Sequence, residues 1–498
     1  MPNSFFKPFY IRINSHVHLF LGVCISFYLL FLTACSPFQP NIRTHLDKEI
    51  PPSYSLYSGE MQPSQRWWLT LEDPELNRLI GTALSDNFSL KEAWARLRQA
   101  RAIAVQAGAD RYPTLSGEAD ALAGLTQSAL TPSQKEEIEV YTLGLASSYE
   151  IDLWGRVRAQ QQAAYFDAAA SREDLSAAAI TLAAEVANLY VQIISQRAQK
   201  LLLQEQLRIN TTLLELVDFR FRRAIVSALD VYQQKQVVED VKAGIPLVEE
   251  EEQLLLHQLA VLLGKPPRTK LDIHQSELPQ LPPLPPMGIP ADTLAVRPDV
   301  RAAGLRLKAA DWQVAEARAN RLPALSLTAR GVLGEGNFDV LFDSWLLTLA
   351  GNLTAPILDG GRRAAEVDRT RAVVDENLAF YRDTVLLAVK EVEDALISEA
   401  KKREHIEGLQ KVIAAAQSAL EQAGLRYQRG LNDYLPVLTQ LLAVQGLERD
   451  IIRRKTDLIS ARIRLYRALG GTWSNDLTPP FQSTTSSYYK VGNYLAGN

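Results

Sequence analysis

The chain has 498 residues and a formal net charge of −4, with 53 Lys and Arg against 57 Asp and Glu. No basic excess marks a nucleic-acid footprint, and 22% charged residues is too many for a bundle of membrane-spanning helices. The two cysteines, Cys24 and Cys35, leave no room for a disulfide framework or a cysteine metal site in the body of the chain.

At the N-terminus, Lys7 and Arg12 precede the apolar run Val17 to Leu32, "VHLFLGVCISFYLLFL". A positive segment followed by an apolar stretch too short to span a bilayer reads as a secretory signal. It ends in "LTAC", Leu32 to Cys35, which resembles a bacterial lipobox. Residues 1–34 are then a removable signal, and Cys35 is lipidated as the first residue of the mature chain. Ser36 in place of Asp favours transport to the outer membrane in lipoproteins of that kind. Residues 35–88 form the segment behind the anchor. Within it, Trp67 and Trp68 read as surface packing rather than as a pin holding that segment down.

Beyond this segment the chain repeats itself. "ADRYPTLSG" at Ala109 returns as "ANRLPALSL" at Ala319, and "GRVRA" at Gly155 as "GRRAA" at Gly361. "FRFRRAIVSALDV" at Phe219 returns as "LRYQRGLNDYLPV" at Leu425, 206 residues on. Two tandem copies, 89–277 and 298–474, are joined by the Pro-rich stretch 278–297 and followed by a tail, 475–498.

Each copy opens with a helix, Leu90 to Asp110 or Pro298 to Asn320, closed by a Pro-x-Leu. Two period-2 stretches come next, joined by turn-rich loops at about 126–137 and 334–344. In "EVYTLGLASSYEID", Tyr141, Leu143, Leu145, Tyr149 and Ile151 share one face and Thr142, Ser148 and Glu150 the other. In "SWLLTLAGNLTAPILD", Trp345, Leu347, Leu349, Leu353 and Ile357 alternate with Thr348, Asn352 and Thr354. After Gly155 and Gly361 the pattern is helical for about 68 residues, roughly 100 Å, up to the repeated interruption. A returning helix of about 34 residues completes the copy. Alanine-rich segments such as "AQQQAAYFDAAAS" allow close helix approach.

Four strands per chain, apolar on one face and polar on the other, cannot close a barrel, and a membrane does not tolerate open sheet edges. Subunits must therefore pool strands: two give eight, a filled barrel, and three give twelve, with space for a lumen. The trimer is favoured. The interruptions then become helix-to-helix turns about 100 Å from the hairpins, two per subunit. A soluble periplasmic coiled-coil scaffold or adaptor lipoprotein is the alternative.

With "L..LI..AL..N..L..A..RL..AR" from Leu76, "YEIDLWGR" from Tyr149, "RPDVRAAGLRLKAADWQVAEARANRLPALSL" from Arg297 and "LRYQRGLNDYL" from Leu425, in that order and duplicated, the chain resembles the TolC-like outer-membrane efflux family, in its NodT-like lipoprotein branch. The resemblance covers nearly all of the mature chain. It implies a homotrimeric α+β membrane protein: a twelve-stranded β-barrel in outer-membrane lipid, continued by a long periplasmic α-helical barrel. It also implies a periplasmic adaptor at the turns and an inner-membrane pump, commonly of the resistance–nodulation–division type. No catalysis and no cofactor are implied. Arg223, Ala224, Ile225, Val226 and Ser227, with Arg429, Gly430, Leu431, Asn432 and Asp433, match the adaptor-facing turns. Gly430 fits the family's turn glycine. Ala224 replaces it in copy one, where a less strained backbone is expected because Ala resists positive φ. Tyr427 and Leu435 match positions near the periplasmic constriction, and Thr439 stands where the family often has an Asp. Asp230 and Asp433 are the carboxylates left to ring a gate, or to cap the returning helix. Glu249 to Glu252 read as a solvated helix face, and the histidines show no ligand spacing.

Overall fold

The computed structural model describes residues 38, 51, 53–56, 66–127, 135–286, 288–334 and 338–479. The signal segment, Cys35 and His45 lie outside the described residues, as does the tail from 480 on. A short α1 (Pro74–Asp86) leads into the first copy: α2 (Phe88–Ala109), β1 (Thr114–Gln127), β2 (Lys135–Ile151), α3 (Arg156–Arg222) and α4 (Ala228–Leu262). A short α5 (Pro290–Val296) precedes the second: α6 (Pro298–Ala319), β3 (Ala324–Leu333), β4 (Trp345–Thr354), α7 (Arg362–Gln428) and α8 (Leu435–Leu469). The helices have 22, 67 and 35 residues in both copies. The extra length of copy one falls in its hairpin, whose strands have 14 and 17 residues against 10 and 10.

Local chemistry sets the boundaries. Asp73 accepts from the amides of Glu75 and Leu76 ahead of Pro74, which starts α1 at a residue with no amide hydrogen to lose. The long helices begin the same way in both copies. Asp152 accepts from the amides of Val157 and Arg158, and Asp359 from those of Gly361 and Arg363. In copy two the strand is shorter than the alternation predicts. Pro356 cannot donate to a ladder, so β4 stops at Thr354 and Ile357 lies beyond it, 96% exposed.

Two compact units cut across the two copies. The first takes 102–166 and 308–376 and contains a four-stranded antiparallel meander in the order β1-β2-β3-β4. The copies meet inside this sheet: β2 pairs with β3 from Leu143↔Leu333 to Ile151↔Leu325. Strands β1 and β4 are the outer ones, each with one partner among the described residues.

The second unit takes 44–101, 167–307 and 377–498. Its main core forms on the Ala-rich face of α3, where Ala179, Ala183 and Ala187 let other helices come close to Tyr190, Ile193 and Ile194. Trp67 and Trp68 belong to this core, contrary to the surface packing expected of them. Trp67 stacks on Tyr466 at 4.9 Å, and Trp68 meets Trp473 edge-on at 4.8 Å. Burying two indoles outweighs what a surface site would offer, and the pair fixes the segment ahead of α1 to the end of α8. The acidic run is not a uniformly solvated face either. Glu252 is buried and accepts from Arg197 at 2.7 Å, while Glu249 pairs with Lys200 at 2.8 Å.

Candidate functional sites: the sheet faces and the helix turns

The strand register fixes which side chains share a face. One face carries Leu115, Tyr141, Leu143, Leu145, Tyr149, Ile151, Leu325, Leu327, Trp345, Leu347, Leu349 and Leu353. Leu349 is 74% exposed and Leu353 69%, so this face is apolar and uncovered within the chain. From Tyr141 to Ile151 it extends roughly 33 Å along β2 at ~3.3 Å per residue. A strand tilt of about 40° reduces this to about 25 Å, the height of an outer-membrane apolar band. Trp345 and Tyr141 stand at one end of it, with Phe338 edge-on to Tyr141 at 5.8 Å. The opposite face carries Ser116, Thr142, Ser148, Thr328, Thr348 and Asn352.

The two interruptions are the same helix-ending motif. After α3, the amide of Ile225 bonds the carbonyl of Arg220 at 3.0 Å and that of Ala224 bonds Phe221 at 2.8 Å. After α7, Leu431 bonds Arg426 at 2.9 Å and Gly430 bonds Tyr427 at 3.1 Å. This paired pattern needs a left-handed residue just past the helix. Gly430 takes it with φ 69°, and Ala224 takes it too, with φ 58°. The relaxed backbone expected at Ala224 is therefore not what forms. The two carbonyl bonds of the motif outweigh a left-handed strain of about 1–2 kcal/mol. The motif leaves Ile225 and Leu431 exposed at the two turns, with the Arg223 guanidinium 4.3 Å over the Phe219 ring.

The carboxylates beside the turns differ. Asp230 closes a capping box with Ser227: the Ser227 amide and hydroxyl donate to its carboxylate at 2.9 Å, and its own amide donates to the Ser227 hydroxyl at 3.3 Å. Asp433 caps nothing, because α8 starts after Tyr434 without a side-chain cap. Thr439 returns its hydroxyl to the Leu435 carbonyl at 2.9 Å. Val226 packs against a small core beside the turns, and the Asn432 amide donates to the Asp433 carbonyl.

The outer membrane efflux protein family profile matches residues 79–265 and 289–471, which is most of the chain. The chain belongs to the outer membrane efflux protein family. It is 33% identical to the pyoverdine export outer membrane protein OpmQ of Pseudomonas putida, over 83% of this chain and 89% of that one. It is 31% identical to the outer membrane protein OprJ of Pseudomonas aeruginosa, over 82% and 86%. Among solved structures, the outer-membrane channel OprN superposes with a TM-score of 0.82 at 27% identity, over 88% of this chain and 99% of that one. VceC from Vibrio cholerae gives 0.78 at 29% identity, over 83% and 100%.

In this efflux protein the residues around the turns form a buried polar column that the sequence did not announce. Tyr434, 1% exposed, donates to the Gln234 side-chain carbonyl at 2.6 Å. Gln234 donates to the Asn210 carbonyl at 2.9 Å, Asn210 to the Gln445 side chain at 3.1 Å, and Gln206 to the Gln445 carbonyl at 3.1 Å. Arg449 closes the line on Gln206 at 2.8 Å. The column ties α3, α4 and α8 together through polar atoms. Burial pushes the Tyr434 phenol well above its ordinary range, and the neighbouring Tyr427 and Asp230 add to the effect. Tyr427 lies beside it with rings 5.6 Å apart, the Arg220 guanidinium over its own ring at 4.8 Å, and its hydroxyl buried without a hydrogen-bond partner among the described residues. The available signal was four amide side chains recurring at otherwise core-facing helix positions. Among the described residues no His, Cys, Asp and Glu group could hold a metal ion.

Proposed function

We propose that three copies of this efflux protein pool their sheets into one twelve-stranded barrel in the outer membrane. The long helices of the three copies pack side by side into a periplasmic tube. Small molecules handed over by an inner-membrane pump, of the resistance–nodulation–division type, pass through passively, and the protein itself performs no catalysis. Cys35 carries the lipid that adds a second attachment to the membrane. The observation that carries this reading is the four-stranded sheet with a bare apolar band about 25 Å high on one face and its outer strands β1 and β4 left for partners. An open edge in lipid costs several kcal/mol per unpaired group, and closure by further copies removes it. The names of relatives, from pyoverdine export to toluene efflux, favour a duct that serves more than one cargo.

The turns are the adaptor-facing end. Ile225 and Leu431, flanked by Arg223 and Arg429, offer two apolar studs per subunit with cationic surroundings, and Ala224, Val226, Ser227, Gly430, Asn432 and Asp433 shape the backbone beneath them. The constriction lies close by. Tyr427, Leu435 and Thr439 line its approach, and the Tyr434–Gln234–Asn210 column holds the returning helices in the closed arrangement. Asp433 is the carboxylate available for a threefold acidic ring, since Asp230 is engaged in its capping box.

Membrane extraction separates this from a coiled-coil scaffold. A chain with Cys35→Ala behind a cleavable signal stays in the outer-membrane fraction through alkaline carbonate washing if its strands span the bilayer. Release into the soluble fraction as a folded protein would reject the duct.

A further inference from the structure

The two copies differ where their first helices begin, and the difference opens a cavity. In copy two, the buried Arg297 stands just ahead of α6. Its guanidinium donates to the Ala468 carbonyl near the end of α8 at 2.7 Å and to the two oxygens of Asp299 at 3.0 and 2.6 Å. It also donates to the Glu391 carboxylate of α7 at 2.9 Å, whose other oxygen Arg467 approaches at 3.5 Å. One planar cation thus ties α6, α7 and α8 together, through acceptors placed to suit a guanidinium fork.

Copy one keeps the frame and lacks the cation. Matching α2 with α6, Glu185-Val186 with Glu391-Val392 and Gly264 with Gly470 sets the equivalences. Asn87 takes the place of Arg297, Ser89 that of Asp299, Glu185 that of Glu391, and Leu262 that of Ala468. Val261 replaces Arg467. Asn87 still donates to the Leu262 carbonyl, at 2.9 Å, and its own carbonyl oxygen accepts from the Leu90 amide at 2.9 Å. Its short side chain goes no further. The corresponding place is a cavity of about 260 Å³, lined by Asn87, Ser89, Glu185, Leu90, Leu182 and Leu262 among others. Among the described residues no cation pairs with Glu185. The frame is set by backbone: Gly264, just past α4, has φ 69°, and a Cβ there would stand 2.5 Å from the Asp86 carbonyl oxygen. The site lies within the second unit and does not depend on how the sheets close.

We propose that this cavity binds a small organic cation, with a planar guanidinium or amidinium head on an apolar body, one per subunit. Glu185 takes the charge as Glu391 does in copy two. The Ser89 hydroxyl and the carbonyls at the end of α4 accept the remaining N–H groups, and that helix end favours positive charge. Leu90, Leu182 and Leu262 hold the body. The volume is just under the ~300 Å³ at which drug-sized sites begin, so the ligand is of fragment size. Once bound, it completes in copy one the tie that Arg297 builds into copy two.

The probes are benzamidinium and its neutral isostere benzamide, titrated by saturation-transfer NMR and thermal unfolding into the full-length protein in detergent. Benzamidinium binds and raises the unfolding temperature, and benzamide binds about tenfold more weakly. Glu185→Gln weakens benzamidinium about tenfold and leaves benzamide unchanged. Asn87→Arg with Ser89→Asp installs the copy-two arrangement and abolishes binding of both; the Glu185→Gln arm decides alone where that double variant does not fold. Equal affinity for the two probes, or a Glu185→Gln protein that binds benzamidinium as the parent does, overturns the proposal. A parent that binds neither probe overturns it too. If Glu185→Gln then also loosens the assembled particle in native mass measurement, the carboxylate serves an arginine of a neighbouring copy instead.

Discussion

Glu399 and Arg462 test how the second unit is held together. Arg462 on α8 is fully buried and meets Glu399 of α7 in a two-point pair, with its Nε 2.7 Å from Oε2. Its remaining nitrogen donates to the carbonyls of Pro282 and Pro283, each at 2.9 Å. The Pro-rich linker offers few amide hydrogens, and its carbonyls find this guanidinium instead. Replacing Glu399 by Leu leaves a buried cation with half its partners, which costs about 3–5 kcal/mol. Adding Arg462→Met removes the stranded charge and restores much of that loss. A residue of about 1–3 kcal/mol should remain, because the two proline carbonyls lose their donor in a buried setting. The assay is denaturant unfolding of the detergent-solubilised protein followed by far-ultraviolet circular dichroism, with the two single variants and the double one forming a cycle. Limited proteolysis across 278–297 gives the local readout: the linker becomes cleavable in both Arg462→Met proteins. A Glu399→Leu protein as stable as the parent, or a double variant less stable than either single, would refute this reasoning.

Ala224→Gly relieves the left-handed strain and should stabilise its turn by about 1 kcal/mol, while Gly430→Ala should cost its turn a similar amount. Opposite shifts in hydrogen-exchange protection of the last turns of α3 and α7 would check both. Tyr434→Phe removes the hydroxyl that satisfies Gln234, and is expected to raise single-channel conductance in planar bilayers; unchanged conductance would detach the column from gating. Glu75 is pulled below the ordinary carboxylate range: burial pushes it up, but the amides of His274 and Gln275 and the His274 ring outweigh that. Because its folded pKa is depressed, the clasp it makes on 274–275 is complete above the unfolded value of about 4.3 and is lost as pH falls through the lower folded value. The protection factors of the His274 and Gln275 amides, corrected for the pH dependence of intrinsic exchange, should fall there and not between pH 6 and 8.

The plan of this molecule was legible because it is written twice. A long helix has no turn chemistry to hide, so the repeated break at Phe219 and Leu425 stood out, and both copies give the same helix lengths. The faces of β2 and β4 were legible for a similar reason, since one side meets lipid and period two survives. Ile357 was misassigned because alternation continues past Pro356, where the ladder cannot. Trp67, Trp68 and Glu252 were read as surface because their partners, Tyr466, Trp473 and Arg197, lie far away in sequence, and no local pattern points to them. Ala224 shows the limit of propensity. Its own preference opposes positive φ, but the carbonyls of Arg220 and Phe221 require it. The polar column was missed because Asn210, Gln234 and Gln445 carry amides, which sit as readily on a wet helix face as in a satisfied interior.

Everything about conduction depends on β1 of one copy pairing with β4 of another. Single cysteines on the polar faces of the two strands, one at Ser116 and one scanned over Leu346, Thr348, Ala350, Asn352 and Thr354, followed by oxidation in the membrane and native mass measurement, address this directly. Strand pooling predicts that one register yields a covalent ladder ending at three chains, within a particle of three times the subunit mass. A folded particle of one subunit mass, with no inter-chain disulfide at any register, would contradict it.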